Sequence, residues 1–374
     1  MIPGTNPDIQ MLSEISITNV RNICLATISF GSKFNVFYGQ NGSGKTSVIE
    51  SIYLLATAKS FRSSQARKII NENNQSLTVF GRITGPNESI RIGIEKTVNA
   101  NTIRVNGSNV RFISELAECL PVLVIEQDSH KLLESGPQWR RKFIDWGLFH
   151  VKHDFTSIWS DYRKSLKQRN ALLIQGAPTD IIQSWTDGLC ELADAYTSMR
   201  EEYVDKLQPY FQSYVSSLLD EAGYTLTYKR GWTKDISLLN CMSENISKDR
   251  SSFRTNYGPH RADLVIKKDS KDIRDHVSRG QQKLLVYALN LAQVSLLKDL
   301  TNKNTILLLD DMGSELDLNH SNNLLTLLEE SFGQVCITTA NLDTIPLADM
   351  DDVKLFHVKH GSIEVINELS TNND

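Results

Sequence analysis

The sequence predicts an α/β fold: mixed β-sheets around a single phosphate-loop helix, with an α-helical arm inserted between the two halves of the fold. Three observations carry this. Gly39-Gln40-Asn41-Gly42-Ser43-Gly44-Lys45-Thr46 sits between an apolar strand, Phe34-Asn35-Val36-Phe37-Tyr38, and an apolar helix that continues from Ser47. From about 138 to 220, large apolar residues recur every three or four positions, which is a helical period. Beyond residue 280, helices alternate with short apolar strands, the pattern of a parallel sheet with crossover helices.

Taken in order, residues 1–10 are polar and rich in Pro and Gly, without the basic start and apolar core of a signal peptide. They read as a floppy leader, with Met11 as an alternative start. Residues 12–18 alternate apolar and polar, as an edge or half-buried strand does, and 25–30 and 33–38 continue as strands. After the loop and its helix, residues 60–68 form a basic, serine-rich connection. Strands follow at 77–83, 90–95 and 102–105, and Asn106-Gly107 closes a hairpin because both residues tolerate positive φ. Strand 121–126 ends at Gln127-Asp128. Then Trp139, Phe143, Trp146, Phe149, Ile158, Tyr162 and Leu166 mark one face of a helical run. Gly176-Ala177-Pro178 breaks it, and a second run covers 181–219. Strands return at 224–228 and 262–266, then helix 281–298, strand 305–310, helix 320–331 and strands 334–338 and 353–358. The expected domains are 1–135, the N-terminal part of a head; 136–254, a helical arm; and 255–374, the C-terminal part of the head.

A chain of 374 residues exceeds what one compact core usually holds. The formal net charge of −4 excludes a uniformly basic, DNA-coating surface but leaves room for local basic patches. Five scattered cysteines fit reduced, mostly buried thiols of the cytosol, so a cytoplasmic protein is expected. No apolar run reaches the roughly 18 residues of a membrane span, so no membrane partner is expected.

The chemistry starts at the loop. Its glycines let the backbone fold round a phosphate chain with N–H groups inward, and the following helix adds its positive dipole end. Lys45 is placed to reach β- and γ-phosphates, and the Thr46 hydroxyl to hold Mg²⁺. Ile306-Leu307-Leu308-Leu309-Asp310-Asp311 is an apolar strand ending in two acids. Asp310 is where a Mg²⁺-directed carboxylate belongs, direct or through water, and Asp311 where a group would orient or deprotonate the attacking water. Ser278-Arg279-Gly280-Gln281 opens a long helix. Alone it reads either as a Ser N-cap or as an anion site.

The order of phosphate loop, Ser-x-Gly-Gln-Gln helix, acid-ended strand and Ser314-Glu315-Leu316-Asp317 resembles the ABC-type ATPase head. In that class the serine–glycine helix caps the γ-phosphate held by a second copy. Transporter ATPase subunits place the two motifs much closer together, and chromosome-condensing ATPases carry far longer coiled coils between them. Arg21-Asn22, Ser60-Phe61-Arg62, Gly136-Pro137-x-x-Arg140-Arg141, Lys167-Gln168-Arg169-Asn170 and Gly258-Pro259-His260-Arg261 make the chain similar to the RecF family of recombination-mediator ATPases. That resemblance, from about residue 12 to the end, implies an ATP-dependent homodimer on DNA gaps, junctions or duplex, working with RecR and RecO to load recombinase. It implies ATP contacts at Gly39 to Ser47, Arg21, Asn22, Ser278, Gly280 and Gln281, and weak hydrolysis through Asp311, Asp310 and Lys45. Gln127 stands where many ABC heads carry a γ-phosphate or metal sensor and RecF proteins often carry Pro; it is a candidate. Asp311 is shorter than the Glu of transporters, and 339–341 lacks their switch histidine, so hydrolysis is expected to be slow. An ATPase of an anti-phage nuclease system shares the head and is the alternative, ahead of a transporter subunit. For DNA, Arg62, Arg67, Lys68, Arg140, Arg141, Lys164 and Lys167 are the candidates, each weighed against a solvated helix face. His260 and Arg261 either pin the arm or line the ATP interface.

Overall fold

The structure, a computed structural model, describes residues 11–85, 89–110, 113–275, 277–312, 316–347 and 350–366. The leader at 1–10 and the residues Ser314 and Glu315 lie outside them. The chain forms two compact units, one from 1–129 and 301–374, the other from 130–300.

The first unit holds two six-stranded sheets. One is antiparallel, in the order Ile23–Ser29, Met11–Val20, Ser76–Thr84, Ser89–Thr97, Asn101–Val105, Ser108–Asn109. Sequence neighbours pair through short turns, except that Met11–Val20 pairs with Ser76–Thr84 across the phosphate loop and its helix. At the last turn Asn106 and Gly107 take φ of 49° and 85°, as the Asn-Gly pair predicts. The other sheet runs Ser362–Ile366, Val353–Lys359, Phe34–Tyr38, Val335–Thr339, Ile306–Leu309, Val122–Ile125, parallel except for its first pair. Its central strands Ile306–Leu309 and Val335–Thr339 are buried along their length because both faces are covered. Strand Ser362–Ile366 carries too little apolar pattern to have been expected.

Helix Lys45–Thr57 packs against strands of both sheets, burying Val48, Ile49, Ile52, Leu54 and Leu55. Gly81 permits the close approach: a Cβ there would lie 2.2 Å from Leu55. Gln334, almost fully buried, ties the two sheets. It accepts from the Leu12 N–H at 2.9 Å and donates to the carbonyls of Leu12 and Gly31, both at 2.9 Å.

The second unit is mostly helical, with Pro137–Val151, Phe155–Ile174, Thr179–Leu219, Leu238–Glu244, Ile246–Ser252 and nearly all of Arg279–Thr301. The single run expected from 138 is broken at Lys152, whose backbone turns extended. The expected break at 176 is real, with Gly176 at φ 67°. A three-stranded antiparallel sheet, Lys271–Asp272, Asp263–Lys268 and Tyr224–Lys229, also belongs to this unit. The serine–glycine helix therefore groups with the inserted unit, where the sequence reading had placed it with the C-terminal part of the head.

Candidate functional site

Phosphate loop and acids meet in one cleft of about 720 Å³, lined by first-unit residues including Arg21, Asn22, Asn41, Lys45, Thr46, Arg62, Gln127, Asp310, Asp311 and Thr338. The loop needs its glycines. Gly39 has φ 149°, and a Cβ on it would lie 2.2 Å from the Val358 carbonyl oxygen; Gly44, at φ 119°, opens the helix. The loop is braced from behind by the C-terminal hairpin, where the Gly361 N–H donates to Ser43 O at 2.7 Å. Asn22 holds it from the side, donating to Gly42 O at 3.2 Å and accepting from Ser47 Oγ at 3.0 Å. Gln40, Asn41 and Gly42 are exposed, while Ser43 and Ser47 are buried.

Lys45 folds back on its own loop. Its Nζ donates to Gly39 O at 2.7 Å and Gln40 O at 3.0 Å, and burial pushes its pKa down while Asp311 and Asp310 oppose that. A buried ammonium whose hydrogen-bond partners here are neutral carbonyls is ready to exchange them for an anion. Across the cleft, register Leu309↔Ile337 carries Asp310 beside Thr338. Asp310 Oδ1 accepts from Thr338 Oγ1 at 2.7 Å and Thr46 Oγ1 at 3.0 Å. Burial raises the Asp310 pKa, opposed by those two hydroxyls and by Arg62. Asp311 sits at φ 59°, its N–H donating to Thr338 Oγ1 at 2.8 Å and its Oδ2 accepting from Gln127 Nε2 at 3.1 Å. Aspartate is tolerated in this left-handed region better than longer side chains, a physical reason for Asp where transporters carry Glu.

Three residues here escaped sequence reasoning. Thr338 was read only as a strand end, and its role follows from sheet register. Arg62 was expected on DNA but lines the cleft, 43 % exposed, 3.9 Å from Glu50. Glu50, fully buried, accepts two bonds of 2.9 Å from Arg21 and one from the Ser60 hydroxyl. A lone acid on the buried face of an apolar helix was the signal available.

The second unit holds most of the remaining candidates. Ser278 and Gln281 form a reciprocal cap: Gln281 N donates to Ser278 Oγ at 3.3 Å, and Ser278 N to Gln281 Oε1 at 3.0 Å. Ser278 and Gly280 are exposed. Lys164 and Lys167 are exposed on helix Phe155–Ile174, with Lys164 paired to Asp161 at 3.0 Å. Arg67 and Lys68, in the first unit, are exposed as well, although Arg67 donates to the carbonyls of Asn74 and Glu72 at 3.0 and 2.6 Å.

Two DNA candidates meet partners inside their own unit. Arg140 is 4 % exposed, fork-bonded to Asp263 at 2.6 and 3.2 Å and to the carbonyls of Leu132, Leu133 and Ser135. Arg141 is half-buried and donates to Ala262 O at 2.8 Å. Both guanidiniums are committed to holding their own unit together. Arg169 of the Lys-Gln-Arg-Asn block is likewise buried, paired with Asp249 at 2.8 Å. His260 bonds Tyr162 and the Thr255 carbonyl, within its own unit.

Mixed sheets of this topology around one loop helix, with an acid-ended strand beside the loop, are the ABC-type ATPase head, and that is the class of this protein. The family model described as RecF/RecN/SMC N terminal domain matches residues 11–364. The "DNA replication and repair protein RecF" of Stutzerimonas stutzeri (strain A1501) is 39 % identical over 357 residues, 94 % of this chain and 96 % of the relative. The chain belongs to the RecF family. A solved structure of the recombination mediator protein RecF-ATPrS in the RecFOR pathway superposes with a TM-score of 0.86 at 25 % identity, covering 96 % of this chain and 99 % of that one. The Smc head domain of Pyrococcus furiosus, bound to the C-terminal domain of ScpA, reaches 0.58 at 16 % identity, covering 96 % of each chain, and shares the fold. Among the described residues, no helix is long and apolar enough to cross a membrane.

Proposed function

We propose that this protein is an ATP-dependent, DNA-binding recombination mediator, two copies of which close on ATP at DNA gaps or junctions and help load recombinase together with RecO and RecR. The family membership and the relative described as a recombination mediator support the reading. In it, the loop N–H groups and Lys45 take the β- and γ-phosphates, Asn22 and Ser47 brace the loop, and Arg21, held by Glu50, borders the nucleotide. Thr46 and Asp310 supply the all-oxygen donor set that a hard divalent cation takes, with Oγ1 and Oδ1 3.0 Å apart. They would hold Mg²⁺, which when bound would supply positive charge to neutralise the β- and γ-phosphates. Asp311 orients or deprotonates the attacking water, and Gln127, bonded to it, senses the γ-phosphate. Ser278, Gly280 and Gln281 of a second copy close the site. Hydrolysis is slow and acts as a timer.

One observation carries the two-copy reading. Gly280 lies inside the first turn of its helix, where a Cβ would meet nothing nearer than Ser278 Oγ at 4.0 Å among the described residues. Glycine costs up to about 1 kcal/mol relative to alanine in a helix interior and less in a first turn, and no close contact among the described residues calls for it at 280. A phosphate brought against that backbone by another molecule does. Sizing chromatography with Mg²⁺ and ATP, ADP or no nucleotide tests the proposal. The wild type should run as a dimer with ATP only, Lys45→Ala should lose nucleotide binding, and Ser278→Ala should bind nucleotide yet stay monomeric. A wild type that remains monomeric at micromolar concentration with ATP, with or without DNA, sinks it.

A further inference from the structure

We infer that Thr338 is a positioning residue for ATP hydrolysis, fixing the backbone of Asp311 so that its carboxylate is aimed into the cleft; this rests on the role given to Asp311 above. Asp311 takes φ 59°, a left-handed conformation that aspartate adopts at less cost than most residues but that still has to be held in place. What imposes it is visible. The Asp311 N–H can only donate, so the Thr338 hydroxyl 2.8 Å away accepts there. The single proton of that hydroxyl is then free for Asp310 Oδ1 at 2.7 Å. One side chain thus binds the backbone of one acid and the carboxylate of the other, and Thr46 meets the same Oδ1 at 3.0 Å.

The assembly is fixed from three sides. Thr338, 1 % exposed, is placed by the pairing of strand Val335–Thr339 with Ile306–Leu309, and the Asp310 N–H donates to Ile125 O at 2.9 Å. Gln127 Nε2 restrains the far oxygen of Asp311 at 3.1 Å. The backbone bond and the Gln127 bond both restrain the aim of the carboxylate. Removing the first should let the residue relax towards an ordinary φ and swing the carboxylate away. A threonine that only filled space would be replaced by valine, which has the same shape, at no catalytic cost.

The experiment uses the full chain carrying Thr338→Val, Thr338→Ser, Asp311→Asn and the Asp311→Asn/Thr338→Val pair. It reads kcat and KM for ATP with Mg²⁺, affinity for a non-hydrolysable ATP analogue, and thermal melting. Thr338→Val should lower kcat about ten- to a hundredfold, the scale for a misaimed catalytic group, and leave analogue affinity within about threefold. Thr338→Ser, which keeps the hydroxyl, should stay within about threefold of the wild type, and Thr338→Val should slow Asp311→Asn no further. Parallel losses of kcat and analogue affinity would overturn the inference, as would a serine variant as slow as the valine one, or full additivity with Asp311→Asn. Should the valine variant fail to fold, Thr338→Ala against Thr338→Ser decides by the same readings. A wild type that turns over ATP beside an unaffected Thr338→Val overturns this inference alone; a wild type that neither binds the analogue nor turns over ATP overturns the proposed function with it.

Discussion

The two units put the same kinds of charged residue to opposite uses. In the second, Arg169–Asp249 at 2.8 Å is fully buried on both sides, and Arg200–Asp145 at 2.8 Å and Arg140–Asp263 at 2.6 Å bury their arginines almost completely. Each guanidinium also donates to neighbouring hydroxyls or carbonyls, such as Thr186 and Thr255 for Arg169 and Pro259 O for Arg200. In the first, Lys45 leans on two loop carbonyls, and Arg62 is 3.9 Å from a carboxylate that already serves Arg21. A buried cation paired with a buried carboxylate is not released to a ligand, because removing that partner would strand a charge. A cation on neutral or distant partners exchanges them for phosphate at little loss. A basic motif in the sequence does not say which of the two it is; the partners do.

The largest effect expected from breaking this contrast is on the acid of the cleft. Asp311→Asn should reduce hydrolysis by about 10²–10⁴-fold, the range of a lost general base, while analogue binding persists and the ATP-driven dimer becomes long-lived. Phosphate release and sizing measure it.

Next comes the locked unit. Arg169→Ala leaves Asp249 buried without its cation and should cost about 3–5 kcal/mol in urea unfolding, whereas Arg169→Met with Asp249→Leu should cost much less. If Arg169→Ala instead weakened nucleotide or DNA binding at unchanged stability, the distinction between the units would fail.

A smaller effect lies in pH. His260 Nε2 faces the Thr255 carbonyl at 3.0 Å and so carries the proton, and Nδ1 therefore accepts from the Tyr162 hydroxyl at 2.7 Å. Burial pulls the ring's pKa from 6.5 to about 4; the Thr255 carbonyl and Asp249 oppose that, and Arg261 and Arg141 add to it. Below pH 6.5 the unfolded chain takes up a proton that the folded chain refuses. The part of stability that depends on His260 should be full above pH 6.5 and lost between 6.5 and about 4, so that the slope across that window is flatter in His260→Gln. Denaturation midpoints across that window check it.

The smallest effect is on the exposed lysines. Lys164→Ala or Lys167→Ala should weaken DNA binding uniformly over sequence and reduce the salt slope by about 1, with melting unchanged. Arg140→Ala should do the reverse, lowering stability first.

Local patterns carried much of this molecule. The loop, the acid-ended strand, the Asn106-Gly107 turn and the helical periods are stretches whose residue types dictate their own conformation or burial, so they can be read without knowing what lies beside them. The break at Lys152 and the strand Ser362–Ile366 could not be read, because tertiary contacts override weak local preference there.

The sequence by itself therefore determined the class of fold and the identity of the phosphate loop and its two acids, since glycine spacing and an apolar strand ending in carboxylates are local facts. Only the tertiary structure decided which charges are spoken for. Arg140 and Arg169 became struts, Arg62 and Glu50 became neighbours of the cleft, and Thr338 was brought under both acids by the register of two parallel strands. Partners separated along the chain, by 123 residues for Arg140 and Asp263 and by 80 for Arg169 and Asp249, are set by how sheets and helices pack, and no stretch of chain carries that on its own.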